Sequence, residues 1–347
     1  MEVELWVSKA FWKHRTPNGS YHPENPRRLD IAVNAVKNEL GDAVRIVERS
    51  EVGRLEDVLR VHSEDYVRLV EAMCRRGGGW LDSDTYLCSS SWEAALTAAT
   101  LATEAIEASR SSGRAIMVLA RPPGHHAGRA GRALGAPTQG FCVFNNVACA
   151  AAKALELGLS PVLIVDFDLH HGNGTQEVFW REPRVIHFDT HLYGIYPGTG
   201  WLTDVGGEGA EGTKINVAVG YGFGDDDYVY LLNELLTPLI DAHNPRVILI
   251  SAGFDGYEGD YLEALYLTQK FYRFVGGLLA SIAREKRIPL VAVLEGGYST
   301  GLSKGLPAFI EGLLSEETEV GCIEPSSRAR ALAEEVKNVL RRYAAIK

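Results

Sequence analysis

Short, continuously apolar runs recur along the chain, separated by stretches with helical spacing. Strands are expected near 3–8, 44–47, 115–120, 161–168, 184–189, 213–219, 246–252 and 289–294. Several, such as Pro161-Val-Leu-Ile-Val165 and Arg246-Val-Ile-Leu-Ile250, carry no polar residue inside the run. A strand with one wet face alternates apolar and polar residues. An uninterrupted run belongs to a strand covered on both faces, as in a parallel sheet between helices. Helices are expected over 26–40, 63–75, 91–111, 143–157, 225–242, 262–285 and 328–344. This alternation predicts an α/β fold, a doubly wound sheet of about eight parallel strands with helices on both faces. No linker, repeat or low-complexity segment interrupts the pattern, so one domain over 1–347 is expected; the alternative is two domains divided near 210. The last helix gathers Leu332, Val336, Val339 and Leu340 on one side and is expected to pack on its own domain.

Composition narrows the function classes. Of 347 residues, 46% are hydrophobic and 23% charged, as in a packed globular protein rather than a disordered or fibrous one. The formal charge of −10 lacks the global basic footprint of a nucleic-acid binder and favours cationic substrates. The five cysteines form no Cys-x-x-Cys pair, which argues against a disulfide framework and for a reducing, cytoplasmic location. The first residues carry acids and no long apolar run, unlike a signal peptide, and no apolar stretch reaches membrane-spanning length.

Function in open parallel sheets collects beyond the carboxyl ends of the strands. Five predicted strand ends deliver ionisable residues: Arg121-Pro-Pro-Gly-His125-His126, Asp166-Phe-Asp168-Leu-His170-His171-Gly-Asn173, Asp189-Thr-His191, Gly253-Phe-Asp255 and Glu295-Gly-Gly-Tyr298. Asp166, Asp168 and His170 share parity and face one side of an extended chain. Asp168 and His170 can therefore hold one metal ion, with Asp166 close behind, and Asp255 is the candidate third ligand. The competing reading of such a string is a capping or turn cluster. Two carboxylates and one imidazole neutralise a divalent cation and suit zinc, with iron(II), cobalt or manganese compatible. The adjacent His125 and His126, in a loop enforced by Pro122-Pro123-Gly124, suit acid–base work beside a metal-activated water; their other reading is that they are ligands or plain loop histidines. His171 has the opposite parity and is expected to be structural. Tyr298, behind two glycines, can donate to an oxyanion. Phe141 after Gly140, and Tyr196, stand on loops where aromatic rings can wall a tunnel; singly, such rings are more often core.

Together these segments are identifiable. RPPGHHA, GFCVFNN, DFDLHHGNGT, YPGTG, SAGFD and LEGGY, with His22-Pro23-Glu24-Asn-Pro26-Arg-Arg28-Leu29, closely resemble the arginase–deacetylase superfamily. Within it the match is to histone deacetylase-like amidohydrolases of class II character, a group that includes acetylpolyamine amidohydrolases. The resemblance runs from about 14 to 312. It implies a single-domain, eight-stranded parallel fold and a zinc site of Asp168, His170 and Asp255. It also implies tandem catalytic histidines, with His126 as general base and His125 paired to Asp166. Tyr298 matches the oxyanion tyrosine, and Phe141 and Tyr196 the walls of an acetyl-lysine tunnel with Gly140 at its floor. A structural potassium ion near Asp166, Asp168 and His170 is implied as well. Asn173 stands where class I members carry Asp as the partner of His126. Asp189 replaces a common Ser beside the potassium position, and Tyr261 replaces a common Pro. Leu262 stands at a rim position where a polyamine-selective member carries Glu. Asp84, in LDSDTY, is placed at the rim, where it either contacts the substrate backbone or serves as a turn acid.

The expected function is therefore zinc-dependent hydrolysis of N-acetylated amines, either acetyl-lysine of proteins or acetylated polyamines. Two alternatives stand beside it: an amidohydrolase confined to small acylated amines, and a metal-bound regulatory protein without catalysis. The intact His125, His126 and Tyr298 oppose the second. An arginase-type centre with two manganese ions needs further bridging ligands that the motifs do not supply. The sequence leaves oligomeric state open.

Overall fold

The computed structural model describes residues 1–17, 21–50, 53–260, 262–316 and 322–343. Tyr261 lies outside the described residues. Eight strands form one parallel sheet: β1 (Val3–Val7), β2 (Val44–Glu48), β3 (Ala115–Val118), β4 (Val162–Asp166), β5 (Val185–Leu192), β6 (Lys214–Val219), β7 (Val247–Ala252) and β8 (Leu290–Leu294). Their order across the sheet is β6-β5-β4-β7-β8-β3-β1-β2, with every pairing parallel. All residues of β3, β4, β5, β7 and β8 are buried. That is the cause of the apolar runs in β3, β4, β7 and β8; β5 is as buried but carries His187, Asp189 and His191. β1 has one half-buried residue, Glu4, and β2, at an edge, shows a mixed pattern.

Helices cover the sheet in packed pairs. Ser91–Ser112 packs with Asn146–Glu156, and Gln269–Lys286 with Leu306–Leu314. The helix Ser327–Arg341 closes over β6 and buries Ala329, Ala333, Val336 and Leu340. Four helix starts are set by a side-chain cap, at Ser63, Asn145, Thr268 and Ser326. Asn145 accepts from the Ala148 N–H and delays the predicted start at 143 to Asn146.

One predicted helix begins late. The pattern placed it over 262–285, but the helix spans Gln269–Lys286. Residues before it run extended: Tyr266 bridges to Gly224 and Leu267 to Tyr257, and Glu263 has a left-handed φ of 48°. Leu265 and Leu267 are buried while Tyr266 is exposed, an alternation of period two. Asp225 anchors the turn into the helix by accepting from Thr268 N–H (2.8 Å) and hydroxyl (2.6 Å). Another helix, Leu306–Leu314, has no counterpart in the predicted set. It is almost wholly buried and so lacks a polar stripe. Its Pro307 sits in the first turn, where a missing N–H costs no intrahelical bond.

Candidate active site

The chain fills the sheet outward in both directions from the β4–β7 boundary: β4, β5 and β6 lie on one side, β7 and β8 on the other. Such a reversal opens a crevice above the carboxyl ends of the two strands. Asp168 and His170 leave β4 at that crevice, and Asp255 leaves β7 opposite them.

The three side chains meet. His170 Nδ1 lies 3.2 Å from Asp168 Oδ1 and 3.1 Å from Asp255 Oδ2. Asp168 and Asp255 are buried, and Asp255 Oδ2 makes no hydrogen bond. Burial pushes the Asp255 carboxyl up, and Asp168 beside it adds to the shift. Burial opposes charge on His170 too, yet the Asp168 and Asp255 carboxyls beside it raise its pKa to about 9. Two buried carboxylates thus draw positive charge to one point, and a divalent cation supplies it with the same three donor atoms. The residues fit a metal ion. Gly296 makes room for them: a Cβ there would stand 2.4 Å from Asp255 Oδ2 and 2.5 Å from Asp168 Oδ2. Its N–H instead donates to Asp168 Oδ2 at 2.7 Å.

The histidine pair leaves β3 on the same side. His125 Nδ1 lies 3.0 Å from Asp166 Oδ2, and its other ring nitrogen is 3.8 Å from Asp168 Oδ1. Burial disfavours its charged form, but Asp166 and Asp168 outweigh burial and hold its pKa well above the ordinary range. His126 is driven the other way, by burial first and by His125 and His170 after it. Its tautomer follows from its neighbour. The Asn173 amide donates to Ala133 O (2.9 Å), which turns its oxygen toward His126 Nδ1 at 2.8 Å. Nδ1 therefore carries the hydrogen, and Nε2 keeps a lone pair to accept a proton. His171 turns away, to Thr199 Oγ1 (2.8 Å) and Gln176 Oε1 (3.2 Å), as its parity predicted.

The Tyr298 loop is tied down by groups far off in sequence. Asp260 accepts from the N–H groups of Tyr298 (3.1 Å), Ser299 (2.9 Å) and Gly301 (2.8 Å). Arg28, buried, lies 4.9 Å over the Tyr298 ring and donates to Gly297 O (2.7 Å) and to Glu295 O. Glu24 holds Arg28 (3.2 Å) and also Arg121. Burial raises the Glu24 pKa, but the Arg121 charge and the hydrogen bonds outweigh it and keep Glu24 ionised. The Glu295 carboxylate takes the N–H groups of Gly124 (2.7 Å) and His125 (3.1 Å), so it fixes the histidine loop; burial lifts its pKa to about 7. These supports were not assigned from sequence. The only signal was charged residues next to the motif glycines and inside His22–Leu29.

Aromatic rings stand over the cluster. Tyr196 packs edge-on to His126 (4.9 Å between centroids) and to His170 (6.0 Å), with its hydroxyl donating to Thr138 O (3.0 Å). Phe141 packs on Tyr298 (6.1 Å) and His22 (4.7 Å). Gly140 has a left-handed φ of 54°, and a Cβ there would meet His126 Cδ2 at 2.5 Å and Tyr196 Cε1 at 2.8 Å. Any side chain would close the approach. Asp84 is half-buried, and its carboxylate accepts from the hydroxyls of Thr85 (2.8 Å) and Thr138 (2.5 Å). It thus braces the segment on which Tyr196 rests. Leu262 is 44% exposed.

Residues 22–313 match the histone deacetylase domain. An uncharacterized protein of Methanocaldococcus jannaschii is 42% identical over 329 residues, which is 93% of either chain. A probable deacetylase of Methanothermobacter thermautotrophicus is 36% identical over 306 residues, 87% of this chain and 88% of that one. The crystal structure of the HDA15 HD domain superposes with a TM-score of 0.87 at 30% identity, covering 98% of this chain and 96% of that one. Family, relatives and fold agree with the motifs on a hydrolase that removes acetyl groups, and the chain belongs to the histone deacetylase domain family.

Proposed function

We propose that the chain is a zinc-dependent hydrolase that removes acetyl groups from N-acetylated amines. The observation that carries this reading is the convergence of Asp168, His170 and Asp255 with the bare Nε2 face of His126 and with Tyr298, under the rings of Phe141 and Tyr196. A divalent ion held by those three donors would supply Lewis-acid chemistry, making water acidic and polarising a carbonyl. The protein's own groups do the rest. The Phe141 and Tyr196 rings admit a slim aliphatic stem, and Gly140 leaves the acetyl group room beside His126. His126 Nε2 takes the proton of the attacking water and later returns it to the leaving amine. His125, held by Asp166, adds positive charge beside that transfer. Asn173 keeps His126 in the working tautomer. Burial holds the Tyr298 hydroxyl far above its ordinary pKa, so it stays protonated and donates to the developing oxyanion. Potassium near Asp166, Asp168 and His170 is a structural ion in this reading.

The five cysteines are free thiols, which supports a reducing compartment such as the cytoplasm. Among the described residues no helix is long and apolar enough to cross a membrane.

An acetyl-lysine peptide and an acetylated polyamine, assayed side by side on zinc-loaded protein, test the reading. Hydrolysis of either supports it. A tenfold preference in kcat/KM, about 1.4 kcal/mol of transition-state binding, assigns the substrate class. Turnover of neither, with metal bound, would overturn it.

A further inference from the structure

His22 opens the segment that carries Glu24 and Arg28, and it touches the wall of the tunnel. Its ring meets the Phe141 ring edge-on, 4.7 Å between centroids, and the exposed Trp80 stands on it at 6.2 Å. The histidine itself is only 9% exposed. Its Nδ1 lies 2.9 Å from Glu24 O, and its Nε2 lies 2.9 Å from Asp84 O. A carbonyl oxygen only accepts, and a neutral imidazole has one N–H to give. We propose that His22 works as an imidazolium, a positioning residue that donates to both carbonyls and so fastens the Phe141 wall of the tunnel to the segment that holds Arg28.

In a neutral ring, one nitrogen would turn its lone pair on a carbonyl oxygen at 2.9 Å, and that carbonyl would lose its donor. The two carbonyls belong to separate parts of the chain. Glu24 holds Arg28, which lies over the Tyr298 ring. Asp84 belongs to the hairpin that pairs Gly78–Trp80 with Tyr86–Cys88. The turn of that hairpin grips the chain on both sides of Gly140. Asp82 accepts from the Gln139 N–H (2.7 Å), Asp84 from the Thr138 hydroxyl, and Thr85 Oγ1 from the Phe141 N–H (3.1 Å). His22 is the clasp between these parts. A charged donor makes each of its bonds about twice as strong as a neutral one.

The charged groups nearby fit this state. Glu24 stays ionised on the segment of His22 itself, where Arg28 and Arg121 are both engaged by it. His14 lies 3.3 Å from Glu24 Oε2 and is driven toward its neutral form by burial. Asp82 and Asp84, on the hairpin, accept from N–H groups and hydroxyls. Burial pushes the Asp84 carboxyl up, a shift that a cation beside it opposes. Phe141 and Trp80 bring no charge. Both bonds of His22 are present while its ring is charged, and one is lost as the pH rises and the proton leaves.

The tunnel role rests on the function proposed above; the charge on His22 does not. Nuclear magnetic resonance of zinc-loaded protein, isotope-labelled at its histidine nitrogens, decides the charge at about pH 7. The His22 signals are those absent from His22→Phe. Two N–H nitrogens are expected, and one nitrogen without a hydrogen would overturn the proposal. Acetate release between about pH 5 and 8 tests the role. In the native chain KM should rise as His22 loses its proton. His22→Phe keeps a ring against Phe141 and lacks both donors, so its KM should be flat across the range and about tenfold above the native value at the acid end, with kcat little changed. His22→Gln, neutral with one amide group to donate, replaces it if it fails to fold. The same KM profile in native and variant chains would overturn the positioning role. Should neither substrate be hydrolysed, the proposed function falls and the nitrogen result alone decides the imidazolium.

Discussion

Tyr298→Phe should keep its metal and lose about 10²–10³-fold in kcat, the usual cost of one oxyanion donor, about 2.7–4 kcal/mol. The loss should be confined to turnover. The ring is held from outside the reaction: Arg28 lies over it, Phe141 packs its edge, and Asp260 binds its backbone N–H. None of these contacts uses the hydroxyl, so the phenyl ring should occupy the same place. Stability and zinc content should therefore match the native chain, while kcat falls and KM changes little. Near-native kcat would remove the hydroxyl from the chemistry.

Asp168→Ala should lose zinc and, with it, acetyl hydrolysis. Supporting residues around a metal typically cost about 10–100-fold in affinity, and a direct ligand should cost more. Asp168 has two further tasks that Ala cannot do. Its Oδ2 accepts the Gly296 N–H and its Oδ1 the His170 N–H at 2.9 Å. Removing it leaves those donors buried and bare and loosens the loop that carries Tyr298. Asp168→Asn separates the effects, because its amide oxygen can keep one of those bonds without the charge. Asp168→Asn should fold better than Asp168→Ala and still bind zinc poorly. A full complement of zinc in either variant would contradict the assignment.

Much of this was legible in the sequence, for identifiable reasons. The sheet was legible because buried strands read as apolar runs. The Asp168–His170 pair was legible because parity on an extended chain is a local property. Asp255 and Tyr298 needed only the rule that strand ends share an edge. Other features depend on pairings that no local pattern carries. The contact of Arg28 with Tyr298 spans most of the chain. Asp84 stands near the predicted place, but the hydroxyls of Thr85 and Thr138 engage its carboxylate, which the LDSDTY string alone does not reveal. The helix Leu306–Leu314 escaped because a segment buried all round has no amphipathic period.

The most direct measurement is acetate release from an acetyl-lysine peptide and an acetylated polyamine by the chelator-stripped chain, before and after zinc is returned. The account predicts no release from the stripped chain and release that rises with zinc bound at Asp168, His170 and Asp255. Full activity in the stripped chain, or none on either substrate after reloading, would contradict it.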